Sequence, residues 1–160
     1  MHYIHRTIVH APLAQVARIF HNPRALQWLT PPPVLVQFRQ VQPIQEGSLT
    51  DFTLWLGPLP LRWLAVHSDV HPLHGFTDRQ VQGPFNQWVH RHTFSPVGEG
   101  ATEVIDEIQA ELSPHPFWNL VGRFIWLNLP LLFIYRGWMV RRTLRSFSNT
   151  NPSSFTKESI

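Results

Sequence analysis

Gly83-Pro84-Phe85-Asn86-Gln87-Trp88-Val89-His90-Arg91-His92-Thr93-Phe94, followed after a loop by Thr102-Glu103-Val104-Ile105-Asp106-Glu107-Ile108-Gln109-Ala110, is the stretch that decides the fold. Both runs alternate with the period of two that a strand imposes on its side chains. In the first, Trp88, His90, His92 and Phe94 share one face, and Val89, Arg91 and Thr93 share the other. In the second, Val104, Asp106, Ile108 and Ala110 lie together, and Glu103, Glu107, Gln109 and Glu111 lie opposite with Ile105. The glutamate face must meet solvent, so Asp106 points inward among apolar neighbours. Closing the 95–100 loop with Phe94 opposite Thr102 places His92 opposite Val104 and His90 opposite Asp106. An inward carboxylate is costly without a partner, and His90 is the partner this register supplies.

Three roles fit that pair. It can hold two strands in register. It can orient a ligand in a cavity, with His92 beside it. It can transfer a proton, with His90 or His92 as general base and Asp106 orienting the ring. His90-Arg91-His92 also offers two ligands to a divalent metal. No third ligand is assured, so no metal site is assigned and no cofactor is expected. His67 and Asp69 repeat the i, i+2 spacing, but apolar residues on the opposite face leave their facing open.

Outward from this hairpin, the elements read in the order β-α-α-β-β-β-β-β-β-α. Residues 2–10 carry Tyr3, Ile4, Thr7, Ile8 and Val9 and read as a strand. Ala11-Pro12 then opens a helix with Val16, Ala17, Ile19 and Phe20 at helical spacing. A second short helix is expected over 23–29, with Asn22 as N-cap and Pro23 at its first position. Thr30-Pro31-Pro32-Pro33 ends it. Strands follow from Val34 to Val41, Thr50 to Leu56, Leu61 to Val70 and Phe76 to Gln82, divided by Glu46-Gly47, Gly57-Pro58-Leu59-Pro60 and His71-Pro72-Leu73-His74-Gly75. Short turns throughout predict an antiparallel meander. After Ser113-Pro114-His115-Pro116 a long helix runs to about Phe147, and Pro130 should kink or split it. Its apolar content exceeds one narrow stripe and suits a helix covered on several sides. The chain reads as a single domain over 1–147 with a polar tail over 148–160.

Composition narrows the function. The chain has 160 residues, enough for one core without staples. It has no cysteine, which removes disulfides, thiolate metal sites and cysteine nucleophiles, and a reducing, cytoplasmic setting is the simplest reading. Twelve of the thirteen bases are arginine, Lys157 being the exception, and acids interleave with them along most of the chain. That pattern predicts no nucleic-acid partner. The N-terminus lacks the apolar region of a signal peptide. The longest uncharged apolar run, Phe124 to Tyr135, has twelve residues, against about 20 for a membrane span. Seven tryptophans and ten histidines are more than a core of this size needs, and rings can wall a pocket as well as fill a core.

The pattern Phe76-x-Asp78-x-Gln80-x-x-Gly83-Pro84-Phe85-x-x-Trp88-x-His90-x-His92-x-Phe94, then Thr102-x-x-x-Asp106, resembles one branch of the START/Bet v1-like superfamily, described as SRPBCC or cyclase/dehydrase-like. Ala11-Pro12 before a helix, Pro31-Pro32-Pro33 after the second helix and Tyr135-Arg136 in the last helix are similar to the same group. The resemblance spans roughly residues 2–145. It implies an α+β helix-grip fold, with a curved antiparallel sheet wrapped around a long C-terminal helix and two short helices closing one end. It implies a cavity for an apolar ligand such as a lipid, sterol, polyketide or quinone. Some such proteins are cyclases or dehydratases, and relatives occur fused to nucleotide-sugar epimerase-like domains. This chain is too short for that extra domain and has no G-x-G-x-x-G fingerprint.

The leading expectation is a domain that binds or carries a small hydrophobic ligand, with Trp63, Asp78, Trp88, His90, His92, Phe94, Asp106 and Phe124 lining the pocket. The alternative is a cyclase- or dehydratase-type enzyme using His90, His92 and Asp106. A further alternative is lipid handling at a membrane surface, with Arg136, Arg141, Arg142 and Arg145 beside Trp138 and Met139 meeting anionic headgroups. Exposed aromatic surface on the helix could also support a homodimer.

Overall fold

The structure, a computed structural model, describes residues 1–149. The expected polar tail lies outside the described residues from 150 onward.

Seven strands form one antiparallel sheet in the order β1-β7-β6-β5-β4-β3-β2. They are β1 (His2–Val9), β2 (Leu35–Val41), β3 (Leu49–Leu56), β4 (Leu59–His71), β5 (Gly75–Gln82), β6 (Phe85–Pro96) and β7 (Thr102–Leu112). Consecutive strands pair from β2 to β7, as short turns require. β1 closes the far side on β7, with Tyr3 opposite Ile108 and Thr7 opposite Val104. The helices lie on the inner face: α1 (Leu13–Phe20), α2 (Ala25–Leu29), α3 (Pro116–Leu127) and α4 (Leu129–Asn149). This is the helix-grip arrangement.

The β6–β7 register corrects the expected one by two residues. Phe94 faces Val104, His92 faces Asp106 and His90 faces Ile108. The reason is loop length: β6 continues to Pro96, which pairs with Thr102, and Val97 N–H donates to Ala101 O across a tighter connection. A slip of two leaves every side chain on its face. Trp88, His90, His92 and Phe94, and Val104, Asp106 and Ile108, are therefore all buried as alternation required.

Two other boundaries move for local reasons. The β3–β4 turn shrinks to Gly57-Pro58, with Gly57 at φ +60°, and Leu59 already pairs with Leu56. The second helix opens at Ala25, because the Asn22 side chain spends itself on a turn by accepting from Arg24 N–H at 3.1 Å. The long helix is split, as Pro130 foretold. α3 stops at Leu127, and α4 begins at Leu129 with Pro130 in its first turn, where a missing N–H costs nothing. The two are bent by 46°, and no single helix is long and apolar enough to cross a membrane.

The inner face carries two apolar clusters. One joins α1, α2 and the C-terminal half of α4 to Val9, Phe76, Phe94 and Val104. The other gathers Phe52, Trp63, Phe85, Trp88 and Ile108 under Leu129 and Phe133 of α4. The glycine at the start of β5 is required by the close approach of the β6 backbone. Gly75 has φ +126°, and a Cβ there would collide with the carbonyl oxygen of His92.

Candidate functional site

Between the sheet and helices α2, α3 and α4 lies a cavity of about 880 Å³. That is roughly the upper end of small-molecule sites. Phe52, Leu54, Leu61, Trp63 and Trp88 wall it from the sheet, and Val121, Phe124, Ile125 and Leu132 from the helices. Leu26 and Leu29 of α2 and the Pro31-Pro32-Pro33 segment close another side.

One part of this wall is polar, and register builds it. His67 of β4 is opposite Asp78 of β5, and Asp78 is opposite His90 of β6. His92 and Asp106 form the next cross-strand pair. Because all five side chains point inward, they meet. His90 Nε2 donates to Asp106 Oδ1 at 3.0 Å. His92 Nε2 donates to Asp78 Oδ2 at 3.3 Å. His92 Nδ1 lies 2.8 Å from Asp106 Oδ1, an ion-pair contact with its N–H off the line to the oxygen. His67 Nε2 is 3.2 Å from Asp78 Oδ1, and its Nδ1 is 3.0 Å from the Ser48 hydroxyl. The result is a chain of alternating imidazole and carboxylate groups, from Ser48 through His67, Asp78, His92 and Asp106 to His90.

The protonation pattern follows from these partners. Both nitrogens of His92 face carboxylates, so the ring is held as a cation. Burial works against the charge, but pairing with Asp106 and Asp78 outweighs it and raises the pKa to about 9. His90 shares only Asp106. Burial and the adjacent positive His92, with ring centroids 3.9 Å apart, push it down to about 4. Burial would raise Asp106, yet hydrogen bonds and charge from His90 and His92 hold it far below the carboxylate range. Asp78 is likewise held down, burial being outweighed by His92 and the other histidines.

Arg136 completes the charge balance. It projects from α4 onto the cavity wall, where burial lowers its pKa and attraction to Asp106 and Asp78 opposes the shift. Its Nε donates to Leu29 O at 3.4 Å, and its guanidinium sits 5.3 Å from the Phe133 ring centroid. Among the described residues it forms no ion pair with a carboxylate. Two carboxylates, one imidazolium and one guanidinium sum to zero, so the site is neutral overall but strongly dipolar.

The expected site residues separate into three places. Trp63, Asp78, Trp88, His90, His92 and Phe124 stand on the cavity wall. Asp106 lies one layer behind, 4% exposed, reaching a ligand only through the two histidines. Phe94 stands off the wall. It is fully buried under α1, 4.9 Å from Phe20. Arg136, grouped in the sequence with the outward helix-end cations, turns inward instead. Ser48 joined the site unannounced, and His67, whose facing the sequence left open, turns inward. The alternation Leu61, Trp63, Ala65, His67 carried the signal for His67, masked by Leu64 and Val66 on the other face. Asp69 breaks away at φ +54° and pairs outside with Arg79 at 3.6 Å.

Asp78, His90 and His92 each bring one ligand atom within 4.8 Å of the others, so these residues could gather a divalent cation. Such an ion would have to expel the proton that His92 holds between its two carboxylates. The site's charge is balanced without it.

No family model matches the chain, and no curated protein matches it. Solved structures do. The Zhui aromatase/cyclase from Streptomyces sp. R1128 superposes with a TM-score of 0.69 at 11% identity, covering 89% of this chain and 92% of that one. Norcoclaurine synthase from Thalictrum flavum, in complex with dopamine and hydroxybenzaldehyde, gives 0.64 at 14% identity over 91% and 87%. The nucleoside-diphosphate sugar epimerase from Corynebacterium glutamicum gives 0.64 at 22% identity, covering 92% of this chain but 30% of that one. At these identities the likeness establishes the Bet v1-like helix-grip fold and leaves function to the site itself.

Proposed function

We propose that the cavity binds a hydrophobic molecule carrying one oxygen-bearing polar end. The observation that supports this most directly is the division of the wall. Phe52, Trp63 and Trp88 offer rings to the body of a ligand, while the Arg136 guanidinium, beside the polar row of Asp78, His90 and His92, offers donors and positive charge to an oxygen. An apolar ligand gains from burial in a space of about 880 Å³, and the polar row fixes its direction. That solved structures of this fold include an aromatase/cyclase and a complex with hydroxybenzaldehyde is consistent with an aromatic or polyketide-like body.

Binding of the anionic dye anilinonaphthalene sulfonate and the uncharged diphenylhexatriene, followed by quenching of tryptophan fluorescence, tests the reading. Both should saturate at one site. Arg136→Met should weaken the anionic dye about tenfold, roughly the value of one charge-assisted contact, and leave the neutral one within about twofold. Failure of either dye to saturate, or equal loss of both in a variant that melts normally, removes the proposal.

A second reading keeps the residues and adds proton transfer. Neutral His90 beside cationic His92 is an acid–base split of the kind that catalysis uses. It is separated in the same assay with a 1,3-diketone as the probe. A catalyst would exchange deuterium into the bound diketone, and His90→Gln would stop the exchange while binding persisted.

A further inference from the structure

The outer face of α3 and α4 carries Leu120, Phe124, Leu127, Leu131, Ile134 and Trp138. Steps of four and three keep Leu120, Phe124 and Leu127 on one side of α3, and Leu131, Ile134 and Trp138 on one side of α4. They are also bare: Leu127 is 78% exposed, Leu120 69%, Ile134 62% and Leu131 61%. A soluble surface has scattered apolar residues but seldom a continuous row six long. The same spacing continues into Arg141 and Arg145, both exposed, with Arg142 stacked over Trp138 at 5.3 Å. Arg123 flanks the other end. Between Glu111 and Glu158 the sequence contains no aspartate or glutamate. The whole face is therefore apolar along its middle and positive at its ends.

We infer that this face docks on an anionic lipid surface, with the cavity mouth turned toward the acyl layer. Charge complementarity selects this occupant. Two copies of the chain meeting through the row would bring arginine against arginine with no acid on either helix to offset them. The mouth makes a second argument. Phe117, Leu120, Phe124 and Leu131 are at once exposed and part of the cavity lining, so the apolar row and the apolar interior are one continuous surface. A bilayer laid on the row extends that interior, whereas a protein partner would cap it. The 46° bend carries the row around the mouth, and the inner sides of both helices are committed to the sheet and cavity. The helices thus lie in the interface plane and do not span it. The surface does not depend on which ligand, if any, the cavity takes.

Co-sedimentation of the full chain with phosphatidylcholine vesicles, with and without phosphatidylglycerol, tests this. Binding should be about tenfold stronger to the anionic vesicles and should fall steeply with salt. The double variant Leu127→Asp, Ile134→Asp should lose binding at least tenfold with unchanged melting, since both side chains are exposed. Arg141→Gln with Arg142→Gln should remove the preference for the anionic lipid. No binding to either vesicle overturns the inference. So does a concentration-dependent dimer in light scattering that Leu127→Asp dissolves, which would make the face an interface between copies.

Discussion

The two ends of the sheet's inner face are filled in different ways. At one end, α1 and α2 lie on Val9, Phe76, Phe94 and Val104, with Val16 and Phe94 fully buried and Phe20 seated on Phe94. At the other, Phe52, Trp63 and Trp88 look across open space toward α3. The same residue types therefore have different duties. Rings at the packed end hold the fold; rings at the open end leave room for something else. The polar row of His67, Asp78, His90, His92 and Asp106 sits at the boundary. Its backing belongs to the packed end and its exposed edge belongs to the cavity.

That boundary should respond most strongly to change. Asp106 neutralises His92 and accepts from His90, both inside the protein. Asp106→Asn removes the charge and leaves His92 with a partner only in Asp78. Breaking one member of a buried ionic set costs about 3–5 kcal/mol. Chemical denaturation should show that loss. A loss under about 1 kcal/mol would mean the row is loosely held and wet, and would dissolve the distinction between the two ends.

The row also gives stability a pH optimum. His92 has a folded pKa of about 9, above its unfolded value of 6.5. Its contribution is complete below about 6.5 and is lost as pH rises toward 9, on the order of 3 kcal/mol for this single group. His90 has a folded pKa of about 4, and Asp106 and Asp78 are also lowered. Their contributions are present above the unfolded values and lost as pH falls, from about 6.5 for His90 and from about 4 for the carboxylates. Melting temperature should therefore peak near neutrality and fall on both sides. In Asp106→Asn the alkaline arm should flatten. An alkaline arm unchanged by that substitution would show that another group produces it.

How much of this was legible follows from where each signal lay. Alternation through Trp88, His90, His92 and Phe94, and the inward phase of Asp106, depend on nearest-neighbour geometry alone and survive a two-residue error in register. Pro130 marked the helix break because a missing N–H acts locally. The pairing of His92 with two carboxylates was not legible, since it depends on how β5, β6 and β7 align. Arg136 was hidden for a related reason. Helix α4 has apolar residues on both its inner and outer sides, so periodicity could not say which way an arginine turned. His67 was masked by apolar residues on both faces of β4. The sequence also could not separate a packed ring from a wall ring, because Phe94 and Trp88 sit in phase on one strand and only the helices above them differ.

That last ambiguity supplies the finest test of the two ends. Ala17 is 1% exposed within the packed cluster, and Ala65 is 5% exposed but lines the cavity between Trp63 and His67. Enlarging each to phenylalanine adds the same atoms in the two settings. At Ala17 there is no space, and overpacking should cost about 1–3 kcal/mol. At Ala65 the ring enters open volume, where burial of its apolar surface offsets the strain, and stability should change by less than about 1 kcal/mol. Dye binding should show the reverse order: retained in Ala17→Phe and weakened about tenfold in Ala65→Phe. Equal destabilisation by both would mean the cavity wall is as close-packed as the core beneath α1. Equal dye binding by both would place the dye somewhere other than the space between Trp63 and α3.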